Sequence, residues 1–205
     1  MFRIAAENLT KRYEHRWVLK DISLSLSTGE SMAVTGPNGS GKSTLLKTLL
    51  HLERPTKGDV RWFEDDRELD QSESGRLVGF VAPYVQLYDQ LSAEENLKFF
   101  ASVGHGNVTG KRIDELMEMV GLEGRAHDLV GGYSSGMKQR LKYAVALQEH
   151  PKFLFLDEPT SNLDDSGRKI VRDIVEVVRA ETVLIIATNE PEEYAIAQQQ
   201  CQLGD

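Results

Sequence analysis

The sequence predicts an α/β protein: a parallel-sheet core, an antiparallel β subdomain and a helical lobe inserted into the core. Three observations predict it. A glycine loop, Gly36-Pro37-Asn38-Gly39-Ser40-Gly41-Lys42-Ser43-Thr44, joins a short apolar run to a helix-forming one. A second apolar run, Phe153–Leu156, ends in the carboxylates Asp157 and Glu158. Between the two, residues 92–150 read almost entirely as helix. The expectation is one domain over 1–205, with its core at about 1–85 and 151–205 and the lobe at about 86–150.

The elements follow in order. Residues 2–30 alternate apolar and polar (Phe2-Arg3-Ile4; Ile22-Ser23-Leu24-Ser25-Leu26), which predicts half-buried antiparallel strands, and Thr28-Gly29-Glu30 is a turn. Ser31–Thr35 is short, apolar and ends β-branched, so it reads as a buried strand feeding the glycine loop. Leu45–Leu50 continues as helix, and Arg54–Gly58 leads into a strand at 59–63. Glu64–Asp70 reads as a solvated acidic hairpin tip. Leu77–Val81 is another buried strand, followed by a loop at 82–91. Ser92 and Glu95 spell a capping box for a helix to Val103. Further helices are expected at 111–120 and 135–149, the last ended by Pro151, with a glycine-rich break at Gly104-His105-Gly106-Asn107. A helix over about 166–179, a strand at 182–187 and a final helix with Pro191 in its first turn complete the chain.

The glycine loop fits G-x-x-x-x-G-K-[ST] between a strand and a helix, the arrangement that cradles a nucleotide's phosphates. Its glycines let backbone N–H groups turn inward, and the helix N-terminus adds partial positive charge. Lys42 can reach the β- and γ-phosphates and the Ser43 hydroxyl can hold Mg²⁺. Ligands of open α/β sheets bind at the carboxyl ends of the strands, which puts Asp157 and Glu158 beside the loop. Asp157 suits a Mg²⁺-bound water and Glu158 a base for the attacking water. Tyr13, near a strand end, can stack on an adenine face, and it is equally a plain sheet aromatic.

The bulk numbers exclude other classes. A net charge of −8 does not favour non-specific nucleic-acid binding, so no nucleic-acid partner is expected. One cysteine, Cys201, forms no internal disulfide and suits a reducing compartment. The first residues lack a signal peptide's apolar core, and runs such as Val183–Ala187 are too short to span a bilayer. The expectation is a cytoplasmic protein whose membrane role would come through a partner.

Taken together, Gly36–Thr44, Tyr133-Ser134-Ser135-Gly136-Met137, Leu154–Glu158 and Ser161-Asn162-Leu163-Asp164 resemble the nucleotide-binding subunits of ABC transporters, in order and in context. Leu87-Tyr88 followed by Glu94-Glu95-Asn96-Leu97 is similar to the same family. The resemblance implies a P-loop NTPase (RecA-like) core and an ATP- and Mg²⁺-dependent ATPase. Tyr13, Val18 and Gly36–Thr44 would bind ATP; Ser43, Asp157 and Gln86 would serve the metal; Glu158 and Asn189 would act in hydrolysis. It also implies a homodimer or a paired nucleotide-binding subunit when ATP is bound. Ser134, Ser135, Gly136 and Met137 of one chain would close on the nucleotide of the other, and Asp164 would lie in a loop at the dimer seam. An integral membrane subunit would hold the pair at the inner face of the cell membrane. Length resembles the haem-exporter ATPase of cytochrome c maturation.

The chain departs from the family pattern at two places. The usual loop glutamine is replaced by Pro83, with Gln86 three residues later, and the usual histidine after Ala187-Thr188 is Asn189. Asparagine can hydrogen-bond a γ-phosphate but carries no charge, so hydrolysis is expected to be slow and to rest on Glu158. The five histidines read as ordinary surface or core residues. Three rivals are weighed: a soluble ABC-type ATPase of DNA repair or the ribosome, for which the expected long coiled coil or tandem nucleotide domain is not seen; a small-molecule kinase or GTPase on the same loop, for which no Asn-Lys-x-Asp guanine motif occurs and Tyr133–Met137 would be unexplained; and an ATP-gated regulator, which Asn189 keeps open.

Overall fold

The computed structural model describes residues 1–104 and 106–204; His105 in the expected glycine-rich break, and Asp205, lie outside the described residues. Strands β1 (Phe2–Tyr13), β2 (Arg16–Ser27), β4 (Lys57–Glu64) and β5 (Arg67–Glu68) make an antiparallel sheet in the order β2-β1-β4-β5. Strands β6 (Val78–Val81), β7 (Phe153–Asp157), β8 (Val183–Ala187), β3 (Ser31–Thr35) and β9 (Gln199–Gln202) make a parallel sheet in that order. Every residue of β3, β7 and β8 is buried, as near-continuous apolar runs in a two-sided parallel sheet require.

Alternation sorts those side chains onto two cores. Phe153, Phe155, Val183 and Ile185 join a cluster with Leu45, Leu46 and Leu49 of α1 (Lys42–Leu49) and with Ile4, Leu26 and Trp62 of the antiparallel sheet. Leu154, Leu156, Leu184 and Ile186 face the other way. There they meet α3 (Ala93–Val103), α4 (Gly110–Met119), α5 (Ser135–Leu147) and α6 (Asp165–Val178). Trp62 is the wedge of the first core. It is 2% exposed, its ring lies 4.3 Å from Phe153 and 5.8 Å from Phe155, and its Nε1 donates to the Leu49 carbonyl at 3.2 Å.

The helical lobe is inserted between β6 and β7, and the expected capping box is formed in both directions: Glu95 N–H donates to Ser92 Oγ at 3.1 Å and Ser92 N–H to Glu95 at 2.7 Å. Two elements differ from expectation. A short helix, α2 (Gln71–Gly75), follows the acidic hairpin, capped by Asp70 in a second capping box with Glu73. The chain's last strand, β9, is Gln199-Gln200-Cys201-Gln202 and has no apolar pattern; Gln200 Nε2 reaches Thr35 Oγ1 at 2.8 Å while the backbone pairs with β3. The final helix, α7 (Pro191–Tyr194), keeps Pro191 in its first turn but runs only 4 residues. Among the described residues no helix is long and apolar enough to cross a membrane.

Candidate functional site

All four relevant loops leave the parallel sheet at its carboxyl ends: the glycine loop from β3, Asp157-Glu158 from β7, Thr188–Glu190 from β8 and residues 82–91 from β6. The glycine loop is built tightly. A Cβ on Gly36 (φ +142°) would stand 2.3 Å from the Leu203 carbonyl oxygen, and one on Gly41 (φ +108°) would stand 2.6 Å from a Val18 methyl. Val18 is thus the wall that demands glycine at 41. Lys42 is 6% exposed and folds back on the loop, its Nζ donating to the carbonyls of Gly36 at 2.8 Å and Pro37 at 3.3 Å. Ser40 N–H closes the turn onto Pro37 at 3.1 Å, while its hydroxyl is buried without a partner. Asn38 and Gly39 are exposed at the tip. Ser43 and Thr44 lie in the first turn of α1.

Asp157 is 1% exposed, and neither carboxylate oxygen has a donor in hydrogen-bond geometry. Burial pushes its carboxyl above the ordinary range; the Ser43 hydroxyl beside it, then Lys42 and Lys47, pull the other way, and Glu158 adds to the rise. A buried, donor-free carboxylate next to a hydroxyl is a poor structural feature and a good cation ligand. These two residues fit Mg²⁺, which typically takes only one or two protein carboxylates beside phosphate and water. Glu158 is exposed at the cleft with its backbone in the left-handed region, φ 49°. Asn38, Glu158, Thr188 and Asn189 line one cleft, and Asn189 Nδ2 donates to Asn38 Oδ1 at 2.8 Å.

The structure does not bring Gln86 to this cleft. Gln86 is exposed and lines a separate groove with Pro83, Lys138, Lys142 and Ser135. Tyr84 faces Asp157 instead: its hydroxyl is pushed well above the ordinary phenol range, first by burial and then by the Asp157 charge, and Lys47 Nζ sits 4.4 Å over its ring. An aromatic two residues before Gln86, in a loop leaving a buried strand, was the available signal. Arg16 is a second residue the motifs did not flag; from the start of β2 its Nη2 donates to the Gly39 carbonyl of the glycine loop at 3.1 Å. Tyr13 is 43% exposed; its hydroxyl donates to Glu53, Thr44 lies alongside, and Lys11 Nζ is 4.9 Å from the ring. None of the four described histidines (His15, His51, His127, His150) lines the cleft.

The turn Ser134-Ser135-Gly136-Met137 opens α5. Ser134 is its N-cap, accepting from Met137 N–H at 3.2 Å, and Ser134 and Ser135 are exposed. Tyr133, in place of the family's leucine, is buried and donates its hydroxyl to the Arg125 carbonyl at 2.7 Å. The turn lines a cleft with Asn162 and Asp164 that shares no residue with the Glu158 cleft. Asp164 caps α6, accepting from Gly167 N–H at 2.8 Å and Ser166 Oγ at 3.0 Å, which holds its carboxyl below the ordinary range.

Comparison with known proteins agrees with this geometry. The family model described as "ABC transporter" matches residues 19–161. The uncharacterized ABC transporter ATP-binding protein YxlF of Bacillus subtilis (strain 168) is 37% identical over 91% of this chain and 62% of its own length. The bacitracin transport ATP-binding protein BcrA of Bacillus licheniformis is 35% identical over 89% of this chain and 60% of its own length. This chain therefore spans about 60% of the length of such curated relatives. Among solved structures, a dimeric ATP-binding cassette in a post-hydrolysis state, bound to ADP and Pi, superposes with a TM-score of 0.85 at 26% identity, covering 98% of this chain and 94% of that one. A sheet core carrying the phosphate loop, the Asp157-Glu158 strand end and a lobe opening on its own serine–glycine turn thus has one home: the chain belongs to the ABC transporter family.

Proposed function

We propose that this chain binds ATP with Mg²⁺ and hydrolyses it as one of two nucleotide-binding subunits that drive a transporter, the pair resting on the cytoplasmic side of an integral membrane partner. One observation carries the reading: the phosphate loop and the Ser134–Met137 turn of one chain open on separate clefts. A lone chain leaves its nucleotide uncovered, so a second copy, packed head to tail, supplies the lid. The dimeric, ADP- and Pi-bound cassette and the relative named for bacitracin transport support it. The haem-export likeness rests on length alone.

The roles follow from placement. Gly36–Thr44 wraps the phosphates, Lys42 exchanges the Gly36 and Pro37 carbonyls for phosphate oxygens, and Tyr13 with Val18 walls the adenine side. Ser43 and Asp157 would hold Mg²⁺, which supplies charge neutralisation on the phosphates. Glu158 takes a proton from the attacking water; Asn189, fixed on Asn38, donates to the γ-phosphate edge. Across the pair, Ser134 offers a hydroxyl and Gly136 a backbone N–H, with the α5 N-terminus behind them.

Glu158→Gln tests this. It removes a base worth typically 10²–10⁴-fold in rate while keeping size and the Mg²⁺-side residues. With Mg-ATP, light scattering should show doubled mass for the variant and little for the wild type, and the doubling should vanish on adding Ser134→Arg. A monomer throughout would sink the two-chain closure; retained hydrolysis would take the base role from Glu158.

A further inference from the structure

We infer that Glu193 is a positioning residue for Glu158: from α7 it locks the 158–161 turn in the conformation that presents the Glu158 carboxylate to the cleft. The inference rests on the reading of Glu158 as the base. Glu158 is not glycine yet holds φ 49°, a backbone region that a side chain occupies only when its surroundings impose it. Glu158 N–H donates to the Ala187 carbonyl at 2.9 Å and Ser161 N–H returns to the Glu158 carbonyl at 3.1 Å. The Pro159 carbonyl accepts from Gln139 Nε2 at 3.1 Å and from the Tyr143 hydroxyl at 3.0 Å. Thr160 is held by a carboxyl group: both its N–H, at 3.1 Å, and its hydroxyl donate to Glu193 Oε1.

Glu193 is costly to keep where it is. It is 6% exposed, and its Oε2 is buried with no donor. Only the Oε1 acceptor is used, on Thr160, and Glu193 also borders an apolar cavity lined by Leu156, Val171 and Ile186. What this buried acceptor on α7 supplies is a tie between two strand ends. Glu193 lies four residues after Asn189, and its grip on Thr160 lies two residues after Glu158. The two groups expected to flank the γ-phosphate are thus held in one frame. Glu193 lines both the Glu158 cleft and the rear cavity, as does Arg168.

Steady-state hydrolysis and nucleotide binding decide the matter. Glu193→Ala should lower kcat about tenfold or more, a loss typical of a slightly misplaced group, while KM and the affinity for a fluorescent ATP analogue stay unchanged. Glu193→Gln keeps the Oε1 acceptor and should recover most of the rate. If Glu193→Ala is poorly folded by thermal melting, Thr160→Val, which removes only the hydroxyl donor, should show the same kcat loss in weaker form with KM unchanged. In a Glu158→Gln background, adding Glu193→Ala should slow hydrolysis no further. Loss of nucleotide affinity in parallel with kcat, a Gln variant as slow as the Ala variant, or additive losses in the double variant would each overturn the inference. Full activity of Glu158→Gln alone would instead overturn the base reading on which it rests.

Discussion

At Asp157 the demands of stability and of function oppose one another. Burial raises its carboxyl, so the ionised form is penalised in the folded state. The sign follows: below the unfolded value of about 3.9 the penalty is absent, it grows as pH rises through the interval up to the folded value, and it persists at neutral pH. Asp157→Asn removes that charge. Melted without nucleotide at neutral pH, the variant should unfold a few degrees above the wild type, with the gap closing near pH 4. Titrated with ATP, it should lose the strengthening that Mg²⁺ gives the wild type. Asn189 is a residue where the cleft departs from the family pattern. Its amide is bonded to Asn38 and carries no charge. Asn189→His restores a group able to donate with positive charge, and phosphate release should quicken severalfold. A slower variant would mean that the Asn38–Asn189 contact is itself needed. At this scale the sequence was legible where chemistry and spacing coincide, as at Gly36–Thr44 and Asp157-Glu158. It was not legible at Arg16 and Glu193, and Tyr84 showed only as an aromatic in a loop. Each earns its place through a partner 23 or more positions away, Arg16 on Gly39 and Glu193 on Thr160 among them, and no local pattern encodes such a pairing.

Elements were readable in proportion to how much apolar surface they bury. β3, β7 and β8 announce themselves as runs of buried residues, and α3 by its capping box. β9 could not be read, because an edge strand of glutamines is fixed by backbone pairing to β3 rather than by side-chain burial. The Asp70–Glu73 capping box of α2 was present in the sequence but hidden by the acidic run around it. Among the links between elements, Trp62 is the one to test. It joins β4 to β7 by ring contacts and to the end of α1 through the Leu49 carbonyl. Trp62→Ala should cost about 3–5 kcal/mol in denaturant unfolding, from the cavity alone, with the stranded Leu49 carbonyl adding to it. Nucleotide affinity per folded molecule should hold, since the ring's bond is to the Leu49 carbonyl at the far end of α1 from the glycine loop.

For the molecule as a whole, the informative feature is α5. Its 13 residues make a rod about 20 Å long, capped at one end by Ser134 and gripping the Pro159 carbonyl from mid-length through Gln139 and Tyr143. In the proposed pair the tip of this rod rests on the other chain's ATP, while its flank braces the turn beside its own Glu158. Whatever the tip senses is therefore delivered to a different reaction from the one it covers. In such a pair each subunit would act as the other's timekeeper, and the natural unit of work would be a pair of ATP molecules, with neither subunit keeping independent time.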